Sequence, residues 1–298
     1  MSKFFDATQK AQQWAPQVPE NGRLDVVSVI DAIKQSGPIS VTGNAFNEAA
    51  TVIATDKAEA PPAPKLEIEE EKPSRRLIKI RPSSDTPLPA SAVEAYGSLR
   101  TRVLKLQASR GIRSLMLTSS VPSEGKTLTS LNLAVSCAKL HNLRILLVDG
   151  DLRSRGLTRL LKIPDGPGLS DNLGGKSTSD ETILPTEVEN LFVLGAGTLN
   201  GQPSELFASP RWPEFIAWAS QSYGIVIVDA PPIHSLSDAE LISAGCDGAL
   251  IVVRALSTSR EIAQKCVNRL DKRKLLGIVF NGRPSNPEND YDYYGVSG

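Results

Sequence analysis

Short apolar runs alternate with amphipathic helical periods over the last two thirds of the chain. Continuous apolar runs of this length are typical of strands buried on both faces, and apolar residues spaced by three or four are typical of helices. The pattern predicts an α/β fold, a mostly parallel sheet with helices on both faces. The predicted strands are residues 114–118, 144–148, 191–194, 225–228, 249–253 and 275–280. The predicted helices are residues 93–106, 128–140, 210–220, 238–244 and 260–273.

Residues 1–87 have a different composition, with a Pro/Ala-rich stretch, a charge block and a second proline-rich stretch. Such a segment buries too little apolar surface to offset its ordering entropy, so we expect it to be mostly disordered. A helical period predicts a short helix near residues 24–36, and alternation predicts an edge strand at 75–81. We expect a domain at residues 88–286 and a flexible tyrosine-bearing tail at residues 287–298.

The 298-residue chain has a formal net charge of zero, which argues against nucleic acid as a partner. Its three cysteines are far apart and form no C-x-x-C pair, so we expect reduced, buried thiols. The N-terminus lacks an apolar signal region. We therefore expect a cytoplasmic protein that reaches the inner face of the membrane only through a partner.

Residues 119–127 read SSVPSEGKT between a predicted strand and a predicted helix. This is the context of a phosphate-binding loop, in which backbone N–H groups and the helix N-terminus hold a triphosphate. Lys126 is expected to reach the β- and γ-phosphates and Thr127 to bind Mg²⁺. Ser120 stands where the motif has its first glycine. The expected nucleotide-binding residues of this loop are Ser123, Glu124, Gly125, Lys126, Thr127 and Leu128.

Two further predicted strands end in acidic residues. Asp149, Asp151 and Arg153 follow one strand, and Asp229 ends another. Asp229 is expected to orient Mg²⁺, and Asp149 to hold a metal-bound water or accept a proton from a hydroxyl nucleophile. The alternatives are an Asp-Gly turn and a helix cap. Because three motifs in this order each follow a buried strand, the sequence predicts a P-loop NTPase that binds ATP or GTP.

With these motifs the chain resembles the bacterial tyrosine kinases (BY-kinases) of capsule and exopolysaccharide loci. The resemblance implies ATP and Mg²⁺ as cofactors and catalytic roles for Lys126, Asp149, Asp151 and Asp229. It also implies an adenine contact at Asn281. The helix of residues 93–106 is similar to the family's oligomerisation helix, E-x-x-R-x-x-R, with Glu94 and Arg100 as contacts and Gly97 in place of the first arginine.

Tyr291, Tyr293 and Tyr294 cluster near the C-terminus among polar and acidic residues. In the family such a tail is the autophosphorylation substrate. The resemblance implies a homo-oligomer, a membrane-embedded polysaccharide co-polymerase as activating partner, a cognate tyrosine phosphatase, and a role in exopolysaccharide polymerisation or export. The alternative is a non-kinase ATPase switch or scaffold. Partitioning ATPases of the ParA/MinD type carry a signature lysine where this chain has Val121.

Overall fold

The structure is a computed structural model that describes residues 22–27, 77–80, 88–233 and 237–284. For residues 22–27, 283 and 284 it describes the backbone alone. The strands are β1 (Gly22–Val27), β2 (Ser114–Ser119), β3 (Ile145–Asp149), β4 (Ile183–Pro185), β5 (Leu191–Leu194), β6 (Ile225–Asp229), β7 (Gly248–Arg254) and β8 (Leu275–Pro284). The helices are α1 (Ala90–Arg110), α2 (Lys126–Ala138), α3 (Gly156–Leu160), α4 (Leu169–Leu173), α5 (Ser179–Thr182), α6 (Pro203–Ala208), α7 (Arg211–Ser222), α8 (Asp238–Gly245) and α9 (Arg260–Arg269).

The strands of the described residues form one sheet in the order β1-β8-β7-β2-β6-β3-β5-β4. The six central strands are parallel, and β1 and β4 pair antiparallel at the two edges. All six strands expected from the apolar runs are present, with bounds that differ by at most a few residues. The prediction of a mostly parallel α/β sheet is confirmed.

Apolar side chains of the central strands point alternately to two separate cores. Leu115 and Leu117 of β2 pack in the core beneath α1, α2 and α3, whereas Met116 packs in the core beneath α7, α8 and α9. Leu131 of α2 belongs to the first core and Trp212 of α7 to the second, and they are 2% and 1% exposed. Because both faces of the strands are covered, nearly every strand position is apolar.

Helices α3 to α6 and strand β4 were not predicted. Each has only three to six residues. Elements of this length are too short to show a helical or a strand period in the sequence. They are formed where the chain packs on the sheet, so their position depends on tertiary contacts.

The prediction of a helix near residues 24–36 is wrong for residues 24–27, which lie in the strand β1, and residues 28–36 lie outside the described residues. The backbone of β1 pairs with β8 from Gly22 opposite Pro284 to Val27 opposite Ile278. A short isolated helix is only marginally stable in water. The edge of β8 has backbone N–H and C=O groups with which this segment can pair as a strand. In the expected edge strand at 75–81, Ile78 makes a single parallel bridge to Thr186.

Of the described helices, none combines the length and the apolar character that a membrane span requires.

The sheet order brings the three motif strands together. β6 lies between β2 and β3, with Leu117 opposite Asp229 and Asp149 also opposite Asp229. Ligands bind at the carboxyl ends of the strands in open parallel sheets. The sheet therefore places the phosphate-binding loop and both strand-terminal acids at one edge.

Candidate functional site: a phosphate-binding loop and three buried acids

The loop between β2 and α2 has the backbone of a phosphate cradle. Ser123 and Gly125 have φ values of 67° and 90°, and Gly125 caps the N-terminus of α2. Successive N–H groups in such a loop point inward and attract anions. A Cβ atom at position 125 would collide with the side chain of Asn281, whose Nδ2 donates to the Glu124 carbonyl oxygen at 2.9 Å. Asn281 thus lies directly on the loop.

Glu124 was expected to contact the nucleotide, but its side chain is 2% exposed and holds the loop in place. The carboxylate accepts hydrogen bonds from the Val121 N–H at 2.8 Å, from the Arg254 N–H at 3.3 Å and from the Thr258 hydroxyl. These bonds fix the loop to the end of β7. Because its carboxylate makes these bonds, Glu124 could contact a phosphate only through its backbone.

Ser120 fits the position where the motif has its first glycine. The residue is fully buried and has no positive φ, so a side chain is tolerated there. The Sγ atom of the buried Cys266 lies 3.7 Å from the Ser120 carbonyl oxygen. The missing glycine therefore leaves the loop conformation intact.

Lys126 and Thr127 contact the acids of the neighbouring strands. Lys126 Nζ lies 3.0 Å from Asp151 Oδ2 and 3.6 Å from Asp229 Oδ1. The Thr127 hydroxyl donates to Asp229 Oδ2 at 2.7 Å. Asp229 is fully buried and also lies 3.4 Å from the Ser130 hydroxyl. The structure therefore brings the lysine and threonine of the loop to the acid that ends β6.

Asp149 is fixed by a residue that sequence reasoning missed. The N–H and the hydroxyl of Thr158 both donate to Asp149 Oδ2 at 2.7 Å, and the Ala196 N–H donates to Thr158 Oγ1 at 2.9 Å. The other carboxylate oxygen, Oδ1, is buried without a hydrogen-bond partner among the described residues. Thr158 lies on α3, which has no signal in the sequence. Asp149 thus presents one oriented, unused oxygen.

The pKa values of the buried carboxylates are shifted in different directions. Burial, and then repulsion from Asp229, raise the pKa of Asp149 to about 7. Burial also raises the pKa of Asp229, against the attraction of Lys126. Burial opposes ionisation of Asp151, but the Lys126 ammonium holds its pKa below the ordinary value. Although burial alone would lower the pKa of Lys126, Asp229 and Asp151 together raise it.

The donor set fits Mg²⁺. Three carboxylates face a single lysine, and Asp149 Oδ1 has no partner, so the site has a deficit of positive charge. Within the described ranges, no three acidic, histidine or cysteine side chains converge as a protein-only metal cage. Mg²⁺ in nucleotide sites keeps several waters and takes phosphate oxygens as ligands, so it needs no such cage. Thr127, Asp149 and Asp229 are the residues that would hold it.

We expect Asp149→Asn to stabilise the nucleotide-free protein at neutral pH. A folded-state pKa near 7, against about 4 in the unfolded chain, means that wild type loses stability as pH rises through this range. The loss from this group between pH 5.5 and 8 is about 2 kcal/mol, at about 1.4 kcal/mol per pKa unit. Urea unfolding of both proteins at the two pH values should show a stability difference that grows with pH.

Asp165→Asn is the matched control, since its side chain is 98% exposed. It should follow wild type at both pH values. If wild type and Asp149→Asn lost stability equally as pH rises, the raised pKa of Asp149 would be contradicted. When Mg²⁺ and nucleotide are added, the loss of stability with rising pH should shrink in wild type but not in Asp149→Asn.

The remaining predicted site residues are placed as follows. Arg153 Nε lies 3.0 Å from Asp238 Oδ2, so it holds the loop after β3 against α8. Leu128 is 36% exposed in the first turn of α2. Arg100 donates to the Ser136 carbonyl oxygen at 2.9 Å within the chain, and Glu94 is exposed. The oligomer contact at these two residues stays a prediction, and the tail tyrosines lie outside the described residues.

The sheet order, the loop and the three acids define the class of this protein: it is a P-loop α/β protein. No protein-family model matches the chain. It is 34% identical over 206 residues to tyrosine-protein kinase YwqD of Bacillus subtilis, covering 68% of this chain and 86% of that protein. It is 36% identical over 210 residues to tyrosine-protein kinase wzc of Salmonella typhimurium, covering 68% of this chain but only 29% of that protein.

Among solved structures, the kinase domain of the Escherichia coli tyrosine kinase Etk superposes with a TM-score of 0.61 at 31% identity, covering 66% of this chain and 78% of that one. The BceF tyrosine kinase domain gives a TM-score of 0.59 at 32% identity, covering 65% and 78%. The chain belongs to the bacterial tyrosine kinase family, and it is a protein-tyrosine kinase. This confirms the resemblance seen in the sequence.

Proposed function

We propose that this kinase binds ATP with Mg²⁺ and phosphorylates Tyr291, Tyr293 and Tyr294 of its own tail. The observation that supports this most is the convergence of Lys126, Thr127, Asp149 and Asp229 at one edge of the sheet. The N–H groups of the loop and the Lys126 ammonium stabilise charge on the transferred phosphoryl group. Mg²⁺, which Thr127 and the two acids would hold, would further neutralise the negative charge of the phosphates.

Asp149 is our candidate for the group that accepts the tyrosine proton. Its Oδ1 atom has no partner among the described residues, while Thr158 orients the carboxylate through Oδ2. Without Mg²⁺, burial raises the pKa of Asp149 to about 7, which makes its carboxylate a better proton acceptor than one of ordinary pKa. Asp151, held by Lys126 and by the Ser154 N–H at 3.1 Å, positions the lysine. Asn281 of β8, which contacts the loop, is the candidate adenine contact.

The tail tyrosines are the favoured acceptors because the other tyrosines of the chain are buried. The chain has five, of which Tyr96 and Tyr223 are 6% and 7% exposed. A buried tyrosine cannot enter the site without local unfolding. From Pro284 to Tyr291 the chain spans at most about 25 Å when extended.

Replacing Tyr291, Tyr293 and Tyr294 by phenylalanine should abolish phosphotyrosine while ATP hydrolysis continues. The acceptor hydroxyls are lost, but every described residue of the nucleotide site is kept. Peptide mass spectrometry after incubation with Mg-ATP measures the phosphate, and phosphate release measures hydrolysis. Wild type and a Tyr223→Phe variant are the controls, and both should be phosphorylated on the tail. Phosphate on the triple variant at the wild-type level would refute the acceptor assignment.

We further propose that the kinase regulates exopolysaccharide or capsule polymerisation or export. A membrane-embedded polysaccharide co-polymerase would recruit it to the inner face of the membrane, a cognate tyrosine phosphatase would reverse the modification, and copies of the chain would associate as a homo-oligomer. Family membership supports this proposal. Each phosphate adds about −1.5 to −2 charges to an already acidic tail. The size distribution of surface polysaccharide in cells carrying the triple variant tests it, and a distribution equal to wild type would refute it.

A further inference from the structure

A row of three cationic side chains lies along the segment that contains helix α3. Arg155 precedes the helix, Arg159 lies within it and Lys162 follows it, and Arg155 and Lys162 both have a left-handed backbone, with φ values of 49° and 50°. Arg159 and Lys162 are exposed and Arg155 is half-buried. Arg155 Nη2 lies 3.3 Å from Asp165 Oδ1, which is 98% exposed, so that pair is weak. In the part of the chain that the structure describes, neither Arg159 nor Lys162 has an acid within 4.0 Å.

The cationic row begins at the phosphate site. A Cβ atom at Gly156 would lie 3.4 Å from Thr127 Oγ1, so the first turn of α3 packs directly against Thr127. The Arg155 N–H donates to the Asp151 carbonyl oxygen at 2.7 Å, and Arg155 has a φ of 49°. Such backbone strain persists only where the surroundings hold it. The row is therefore fixed to the catalytic acids at one end.

An apolar groove lies at the other end of the cationic row. It has a volume of about 320 Å³ and is lined by Leu77, Leu160 and Pro164, with the cations Lys79 and Lys162 among its walls. Leu77 is 57% exposed although it is a large apolar residue. An apolar groove beside cations suits an aromatic side chain that has an acidic neighbour.

The C-terminal tail of this chain has the matching composition. Glu288, Asp290 and Asp292 precede and separate the tyrosines at 291, 293 and 294. Gly156, which packs on Thr127, and Leu160, which lines the groove, are the two ends of α3 and lie about 6 Å apart along the helix, at about 1.5 Å per residue. An extended peptide covers that distance in about two residues, at about 3.3 Å each. With Tyr291 at the phosphate site, Tyr293 and Tyr294 would therefore be within reach of the groove.

We propose that the cationic row and the groove are the docking surface for the acidic tyrosine tail, and that they determine which peptides this kinase phosphorylates. The inference rests on the proposed function, because it names how the tail is selected at that same site. Arg159 and Lys162 attract the acids beside the tyrosines, and the groove accepts a tyrosine that is not reacting. The surface selects the acceptor, and phosphoryl transfer itself depends on the loop and the buried acids.

A charge exchange in the full-length chain tests this docking. Arg159→Glu with Lys162→Glu should slow tail phosphorylation about tenfold or more, because like charges now oppose each other. Asp290→Lys with Asp292→Lys should slow it similarly. Combining all four substitutions should restore the rate to within about threefold of wild type. Lys139→Glu with Lys272→Glu, two exposed lysines elsewhere, is the matched control and should phosphorylate at the wild-type rate.

ATP hydrolysis, measured in parallel, separates docking from damage to the nucleotide site. It should be the same in all these variants and wild type. A combined variant no faster than the slower of its two parents would overturn the docking surface, as would row variants that phosphorylate the tail at the wild-type rate.

Binding of a labelled peptide of residues 285–298 to the full-length chain distinguishes the two proposals. The peptide should bind wild type and lose about tenfold in affinity for Arg159→Glu with Lys162→Glu, with weaker binding at high salt. If wild type shows this pattern but no phosphate reaches the tail, the proposed function fails and the docking surface stands. Equal binding by wild type and the row variant overturns the docking surface.

Discussion

Replacing Lys126 by methionine is expected to lower the rate of tail phosphorylation by about 10²- to 10³-fold, the usual cost of removing one donor that stabilises transition-state charge. Lys126 is 9% exposed, and its ammonium group is the described cation that contacts both Asp151 and Asp229. Methionine keeps the length and apolar part of the side chain but removes the charge. Time courses of phosphate incorporation measure the effect.

Loss of Lys126 also leaves Asp151 and Asp229 without their cation, so circular dichroism of Lys126→Met is compared with that of wild type. Lys126→Arg keeps the charge, and because a planar guanidinium does not replace a point charge in a fitted loop, it should fold and remain at least about tenfold slower than wild type. Lys139→Met, at the exposed end of α2, should match wild type. Phosphorylation by a folded Lys126→Met protein at the wild-type rate would refute the role of the lysine.

Replacing Asp229 by asparagine is expected to remove the effect of Mg²⁺ on nucleotide binding and to slow phosphorylation by about 10²-fold or more, since a catalytic metal contributes several kcal/mol. Asp229 is fully buried, accepts a hydrogen bond from the Thr127 hydroxyl at 2.7 Å and lies opposite Asp149 in the sheet. Asparagine keeps the shape and an acceptor oxygen but removes the charge. ADP affinity measured with Mg²⁺ and with EDTA tests the change.

Wild type should bind ADP more tightly with Mg²⁺ than with EDTA, and Asp229→Asn should bind equally in both. Asp247→Asn is the matched control, because Asp247 accepts from the Ser114 hydroxyl at 2.8 Å at the opposite end of β2. It should keep the Mg²⁺ effect. A full Mg²⁺ effect in Asp229→Asn would exclude Asp229 from the metal site.

The sequence was informative about the site where chemistry follows directly on a buried strand. Lys126 and Thr127 come after β2, Asp149 ends β3, and Asp229 ends β6. In a parallel sheet these strand ends share one edge, so a linear pattern predicts a cluster in space. That prediction holds in the structure for the contacts among Lys126, Thr127 and Asp229.

Residues that support the site gave no signal of their own. Thr158 orients Asp149 from a five-residue helix, and Thr258 binds Glu124 across 134 positions of the chain. A hydroxyl on a short helix or in a loop looks like any surface residue in a sequence. The same holds for β1, where the apolar period was compatible with a helix and the edge of β8 selected a strand.

By itself the sequence determined the alternation of strands and helices, the order of the three motifs, and hence the class of fold and chemistry, because these depend on periods and spacings within short stretches. Tertiary structure decided which carboxylate has a free oxygen, how Glu124 is used, and that α3 begins against Thr127. Those features depend on packing between segments that are far apart in the chain, where local patterns hold no information.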